Sequence, residues 1–342
     1  MYPENRYKRL FKIHSDFHGN CKVNRVVMQT ETKKLTEEIL ELKQRKNAVI
    51  LAHNYQIPEI QDIADYVGDS LGLSRKAGDA DEDVIVFCGV HFMAETASII
   101  SPDKVVLIPD LDAGCSLADS ITVDELREWK AQHPDAVVVS YVNTTAAVKA
   151  ESDYCCTSSN AVGVVESIPE DREILFLPDK FLGAYVEMIT GRELNIWQGA
   201  CHVHEKIGEL NLAEKQKAHP EAEILIHPEC GCSTSCMMKS AMYFDCKDGH
   251  IHSTSGMLKR AGESDAEEFV VATETGILHR MEKENPDKTF YAANEESVCD
   301  YMKMITLDNL RDALKYDQFE VKVERELAER AMLPINRMLQ IS

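Results

Sequence analysis

Three stretches of the chain follow one plan. AVILAHNY (48–55) is echoed by AVVVSYVN (136–143) and by AEILIHPE (222–229), 88 and then 86 residues further on. Each is a short apolar run that stops abruptly in a partly polar triplet: His53-Asn54-Tyr55, Tyr141-Val142-Asn143 and His227-Pro228-Glu229. An unbroken apolar run of this length fits a strand covered on both faces, the kind found in parallel sheets. In such sheets ligands bind beyond the carboxyl ends of the strands, which is where these triplets fall.

More echoes follow in the same order. A hydroxyl cluster comes next, in GDSLGLSRKA, CTSSNAVGVVES and STSGMLKRA. A second strand pattern follows (VIVFCG, EILFLPD, EFVVATE), then a third (KVVLIPDLDAGC, ELNIWQGACHVH, KTFYAANEESVC). Each third strand is followed by one cysteine: Cys115, Cys201 and Cys299. All α/β chains alternate strands and helices, so some echo is expected. Matching special residues at matching spacing instead indicate a triplicated α/β unit of about ninety residues, longer than solenoid repeats. The predicted fold is therefore α/β, three pseudo-repeated α/β/α domains with small parallel sheets. The expected divisions are an N-terminal extension (1–31), repeats at 32–130, 131–219 and 220–310, and a C-terminal helical tail (311–342). Leu35, Ile39 and Leu42 predict an amphipathic helix over 32–46, and the tail reads as helical from Glu320 until Pro334. If the three strand ends face a common centre, one site is assembled from all three repeats.

Charge and targeting patterns narrow the function. With 37 basic and 58 acidic residues the chain carries a formal charge of −21. That balance argues against nucleic acid or an anionic membrane as partner, though not against a small anionic substrate. The first residues, MYPENRYKRLFKIHSDFHGN, lack the apolar centre of a signal peptide, and no run approaches the roughly 18 apolar residues of a spanning helix. A cytoplasmic location is expected. Eleven cysteines in that setting are thiols, metal ligands or cluster ligands more readily than structural disulfides.

Cys115, Cys201 and Cys299, one per repeat, suggest a shared ligand role. A cubane [4Fe–4S] cluster ordinarily takes four thiolates, so three would leave one iron open as a Lewis acid. A zinc site with a fourth ligand is the alternative, and three unrelated buried thiols the plainest reading. ECGCSTSC (229–236) places Cys230, Cys232 and Cys236 close together, but C-x-C-x3-C is not a four-ligand zinc pattern. It leaves a redox pair, an accessory metal site or unreactive thiols open. Cys155 and Cys156 are adjacent and poorly placed to share a small cluster, and Cys21, Cys88 and Cys246 read as isolated thiols.

GDSLG (68–72) fits the G-x-S-x-G elbow of serine hydrolases, which needs a strand just before the serine. Ile60, Ile63, Ala64 and Val67 precede it at helical spacing, so a helix is expected there instead. Ser70, Ser158 and Thr254 each stand just ahead of a helical pattern. Helix N-termini favour anionic groups, so three of them converging would hold a polyanion without an arginine cluster. Simple N-capping is the competing reading. His53, Tyr55, His227 and Glu229 are the candidate acid–base groups beside that anion.

Together AHNYQ, GDSL, VFCGVHFMAETA, VSYVNTTA, CTSSN, LPDKFLG, GACHVHE, IHPEC, STSGM and TETGILHRM resemble the quinolinate synthase family, from about residue 32 to the end. The resemblance implies three α/β/α domains in pseudo-threefold array around one [4Fe–4S] cluster, held by Cys115, Cys201 and Cys299 with one iron open. It implies condensation of iminoaspartate with dihydroxyacetone phosphate to quinolinate, phosphate and water, for NAD biosynthesis. By matching motif, Tyr55, His53, Glu229 and His227 become acid–base groups. Ser70 and Ser158 become phosphate or carboxylate binders, and Tyr141, Asn143 and Thr254 carboxylate binders. Iminoaspartate implies an aspartate oxidase or dehydrogenase upstream, with transient contact to it. Thr254 lies 27 residues after His227, whereas Ser70 and Ser158 lie 17 after His53 and Tyr141, so the third hydroxyl is Ser253, Thr254 or Ser255. Cys232 and Cys236 fall outside the motifs that carry the resemblance. The rival readings are another [4Fe–4S] hydro-lyase and a non-catalytic redox sensor switched by cluster loss or by Cys232–Cys236 oxidation.

Overall fold

The computed structural model describes residues 21–237 and 249–341. It contains three four-stranded sheets, all parallel, built from consecutive parts of the chain. The first comprises β1 (Ala48–His53), β2 (Tyr66–Gly68), β3 (Val84–Cys88) and β4 (Val105–Leu107), in the order β2-β1-β3-β4. The second repeats that order with β5 (Val137–Tyr141), β6 (Tyr154–Cys156), β7 (Ile174–Leu177) and β8 (Asn195–Ile196). The third does so again with β9 (Glu223–Ile226), β10 (Gly249–Ile251), β11 (Glu268–Ala272) and β12 (Thr289–Ala292). The α/β/α triplication is thus realised as expected. One continuous apolar core draws residues from every repeat, with smaller clusters under the second and third sheets.

The edge strands β2, β6 and β10 are additions to the expected set. In the first repeat the helix Pro58–Ile63 stops short of Val67 because Asp65 is claimed by β1. Its carboxylate accepts the Ile50 amide at 2.8 Å and its own amide donates to the Ile50 carbonyl. Asp153 makes the same pair with Val138 in the second repeat. The expected helix ahead of Ser70 is therefore replaced, over Tyr66–Gly68, by a strand that runs into the helix Ser70–Asp79. The local path does match a hydrolase elbow, but among the described residues no histidine hydrogen-bonds the Ser70 hydroxyl.

The leading helix runs from Cys21 to Arg45, longer than the sequence pattern indicates, and packs on the helix Leu307–Tyr316. The tail forms the helix Arg325–Gln340, which continues through Pro334 rather than ending there. Proline removes one helical hydrogen bond, but Ala331, Pro334, Ile335 and Met338 are buried, and that packing outweighs the loss. This helix lies against β6 and the helix Ala146–Lys149 of the second repeat and the helix His91–Ile100 of the first. Arg330 also pairs with Glu151, which takes Arg127 and Lys130 as well. Just before it, the segment around Glu320 runs antiparallel along β4, with Ile108–Phe319 amide bonds of 2.9 and 3.0 Å. No helix among the described residues is long and apolar enough to cross a membrane. Residues 1–20 and Cys246 lie outside the described residues.

Candidate active site

The carboxyl ends of β1, β5 and β9 open into one cavity. His53, Tyr141 and His227 occupy the same place on their strands, and Tyr55, Asn143 and Glu229 the place two residues on. All six line the cavity, together with Ser70, Ser158, Thr254, Cys115, Cys201 and Cys299. These twelve sequence-derived candidates are therefore brought to one place. No lysine or arginine is among the described residues that line it.

The strand-end histidines share a local geometry. The Tyr55 amide donates to His53 Nδ1 at 3.2 Å, and the Glu229 amide to His227 Nδ1 at 3.4 Å. An Nδ1 that accepts puts the imidazole proton on Nε2. Burial lowers the His53 pKa to about 4 and drives that of His227 down as well, so both rings are neutral at pH 7. Each can donate through Nε2–H to a ligand without carrying charge.

Glu229 sits at the meeting point of the repeats. Tyr141 donates its hydroxyl to Oε1, while His204 Nδ1 lies 3.5 Å from Oε2 and His227 Nδ1 3.7 Å from Oε1. These two are contacts rather than ion pairs, since burial lowers the His204 pKa to about 3. Burial first, and the buried Asp179 carboxylate second, push the Glu229 pKa up into the range where it holds a proton at neutral pH. Tyr55 adjoins the same network, its hydroxyl 2.6 Å from Thr273 Oγ1 and 3.3 Å from His204 Nε2. Burial, then Glu229, keeps its phenol protonated.

The hydroxyls do not spend themselves on capping. Asp69 caps the helix Ser70–Asp79 through the Gly72 amide, and Ser253 caps the helix Thr254–Glu263 through the Gly256 amide. Ser70 and Thr254 are thus first helical residues with side chains in the cavity. Ser158 instead lies in a turn, two residues before the N-cap Asn160. Ser255 is exposed, so of the three alternatives only Thr254 lines the cavity. Asn143 Oδ1 is buried without a hydrogen-bond partner, an acceptor left for a ligand.

Cys115, Cys201 and Cys299 are unpaired thiols, and their environments overlap. Burial raises the Cys115 pKa to about 12, with Cys299 adding to the rise. Cys201 is likewise raised by burial, then by Glu229 and Cys115. Burial lifts Cys299 to about 11. Converging half-buried thiols, two of them raised by a neighbouring thiol, suit a cation or cluster that would bind them as thiolates. Cys201, His204 and Glu229 also hold ligand atoms within 4.8 Å of one another. By contrast, Cys230, Cys232 and Cys236 are buried in the apolar core of the third repeat and do not line the cavity, the Cys230 thiol donating to the Ala272 carbonyl at 3.1 Å.

The loops that carry these thiols are held from behind. Glu274, fully buried, accepts the Cys299 amide at 3.1 Å and pairs with Lys303 at 2.8 Å, while Lys303 donates to the Tyr55 carbonyl. Gly199, two residues before Cys201, has no room for a side chain: an added Cβ would lie 2.5 Å from the Pro178 carbonyl oxygen and collide with Ser120. Gly199→Ala should therefore cost about 1–3 kcal/mol, the usual range for overpacking. Because the strain falls on the Cys201 loop, the melting temperature should drop. An unchanged melting temperature would show that the loop has slack.

His204, Thr273 and Glu274 carry much of this network yet follow no strand-end triplet. A signal for Glu274 was present, because TE after β11 echoes PD after β7, where Asp179 is also buried beside the cysteine loop.

A family described as "Quinolinate synthetase A protein" matches residues 37–340. Quinolinate synthase from Mycobacterium sp. (strain KMS) is 57% identical over 312 residues, covering 91% of this chain and 93% of the relative. Those of Thermus thermophilus and Pyrobaculum aerophilum are 53% and 52% identical. Each covers 90% of this chain, and the alignments take in 97% and 100% of the relatives.

Proposed function

The chain belongs to the quinolinate synthetase A family, and from that premise we propose that it condenses iminoaspartate with dihydroxyacetone phosphate to quinolinate. One phosphate and two waters leave, and the product serves NAD biosynthesis. The observation that carries this reading is the single cavity at which all three repeats deliver their polar strand ends, hydroxyls and thiols.

In this reading Cys115, Cys201 and Cys299 hold one [4Fe–4S] cluster per chain. Its open iron supplies Lewis acidity toward a hydroxyl that must leave. The chain's own groups do the rest. Ser70 and Ser158, on the first two repeats, take the phosphate or one carboxylate. Tyr141, Asn143 and Thr254 orient the carboxylates. Neutral Nε2–H donors on His53 and His227 hold carbonyl or carboxylate oxygens without a charge that would compete for protons. Tyr55 and Glu229 move protons on and off carbon and oxygen during enolisation and dehydration, as a buried phenol bonded to Thr273 and a buried carboxyl group, with His204 lying between them. We place the reaction in the cytoplasm, with iminoaspartate supplied by an aspartate oxidase or dehydrogenase in transient contact.

Protein purified without oxygen, given iminoaspartate and dihydroxyacetone phosphate, should release quinolinate and phosphate in equal amounts. Dehydration of some other hydroxy acid, with no quinolinate formed, would transfer the site to another cluster-dependent hydro-lyase.

A further inference from the structure

Asn54, the middle residue of the first triplet, is fully buried and does not line the cavity. Its amide joins two repeats. Nδ2 donates to Thr254 Oγ1 at 3.0 Å, across 200 residues of sequence. Oδ1 accepts from Arg280 Nη1 at 3.0 Å, and the same nitrogen donates to the Val67 carbonyl at 2.7 Å. Arg280 is held in turn by Glu284, whose carboxylate accepts from Nε at 2.6 Å.

The chemistry of the partners removes the usual ambiguity of an amide. A guanidinium only donates, so the oxygen of Asn54 must face Arg280 and its NH2 must face Thr254. Thr254 Oγ1 is then an acceptor toward the protein, and among the described residues nothing accepts its own hydrogen. That hydrogen is left for the cavity, where Thr254 is 3% exposed.

We infer that Asn54, locked by Arg280, is a positioning residue that makes the Thr254 hydroxyl a donor toward an anionic oxygen of the ligand. The inference rests on the functional reading above and specifies how its carboxylate subsite is polarised. Selection against a cationic group at this point follows from the direction of one hydroxyl, with no lysine or arginine among the described residues of the cavity wall.

Asn54→Asp is nearly isosteric and keeps its bond to Arg280, but its carboxylate draws the Thr254 hydrogen to itself and turns lone pairs toward the ligand. Quinolinate and malate binding to the cluster-loaded, full-length protein should weaken about 10- to 100-fold, the range for a lost hydrogen bond to a charged group. The loss should disappear in a Thr254→Ala background, because both changes remove the same donor. Simple repulsion by the new charge would persist in that background, and such persistence would overturn the inference. Arg280→Met serves as a second variant, well away from the cavity: it frees the amide to turn over, and should weaken binding several-fold, again only while Thr254 is present.

Unchanged quinolinate binding by both variants would overturn the positioning role and leave the functional reading intact. Malate binding with the expected Asn54→Asp loss, in a protein that forms no quinolinate, would sink the functional reading and sustain the positioning role. A wild-type protein that binds neither dianion would overturn both.

Discussion

Serine in place of Cys115, Cys201 or Cys299 should, in each case, abolish quinolinate formation and leave the protein without iron and sulfide. Changing Cys230, Cys232 and Cys236 together should leave about four of each per chain, the content of one cubane cluster. The distinction comes from position. The first three thiols line the cavity, with Cys299 raising the Cys115 pKa and Cys115 that of Cys201, whereas the second three are enclosed in apolar packing. Serine oxygen is a harder and poorer ligand for iron–sulfur chemistry than thiolate. Three buried hydroxyls could unsettle the core of the third repeat, so the alanine triple belongs beside the serine triple. Iron and sulfide analysis after anaerobic purification reads the outcome directly. Full metal content in any variant of the first set, or its loss in both triples with the fold retained, would assign the cluster to the wrong cysteines.

Glu229→Gln and Tyr55→Phe should each lower kcat by about 10²- to 10⁴-fold, the ordinary contribution of a positioned acid–base group. Both should stay folded. The glutamine retains an oxygen for the Tyr141 hydroxyl and offers its NH2 to His204 Nδ1, which has no hydrogen-bond partner at present. Removing the Tyr55 hydroxyl leaves Thr273 Oγ1 still paired with His204 Nε2 at 2.9 Å. Quinolinate affinity should change far less than turnover in both variants. The double variant should be little worse than the poorer single one, because both residues lie against His204. Steady-state rates with a binding assay separate these terms. A kcat within a few-fold of wild type in either variant would remove that residue from the proton-transfer role.

Much of this architecture was legible because buried parallel strands write an unambiguous code. Five apolar residues, Ala48 to Ala52, followed by His53-Asn54-Tyr55 could be only so many things, and three such endings at matching intervals fixed the plan. The edge strands were not legible for a physical reason. Tyr66–Gly68 is too short to show a period, and it exists because Asp65 ties the chain to a strand already formed. Pro334 misled in the same way, since a local preference lost to the burial of one helix face. His204 opens a short 3-10 helix two residues after His202, and no local period announces that Tyr55 and Glu229 lie on either side of it. The thiol trio was marked by its place in the repeats and lines the cavity, while Cys230, Cys232 and Cys236 of the louder ECGCSTSC stretch lie in the apolar core of the third repeat.

The segment around Glu320 that lies along β4 has a consequence for how the protein is made. During synthesis the first sheet can assemble as soon as β4 emerges, since domains tend to fold in order from the N-terminal side. Its outer edge must then wait, with unpaired amides and carbonyls, while the second and third repeats are translated. An open strand edge is a template for pairing with other chains. A ribosome that stalls within the third repeat therefore releases a protein with a nearly finished first sheet and an adhesive margin. The residues that close that margin follow every group in the cavity along the chain, so a nascent protein can hold its last thiol before it is safe from its neighbours.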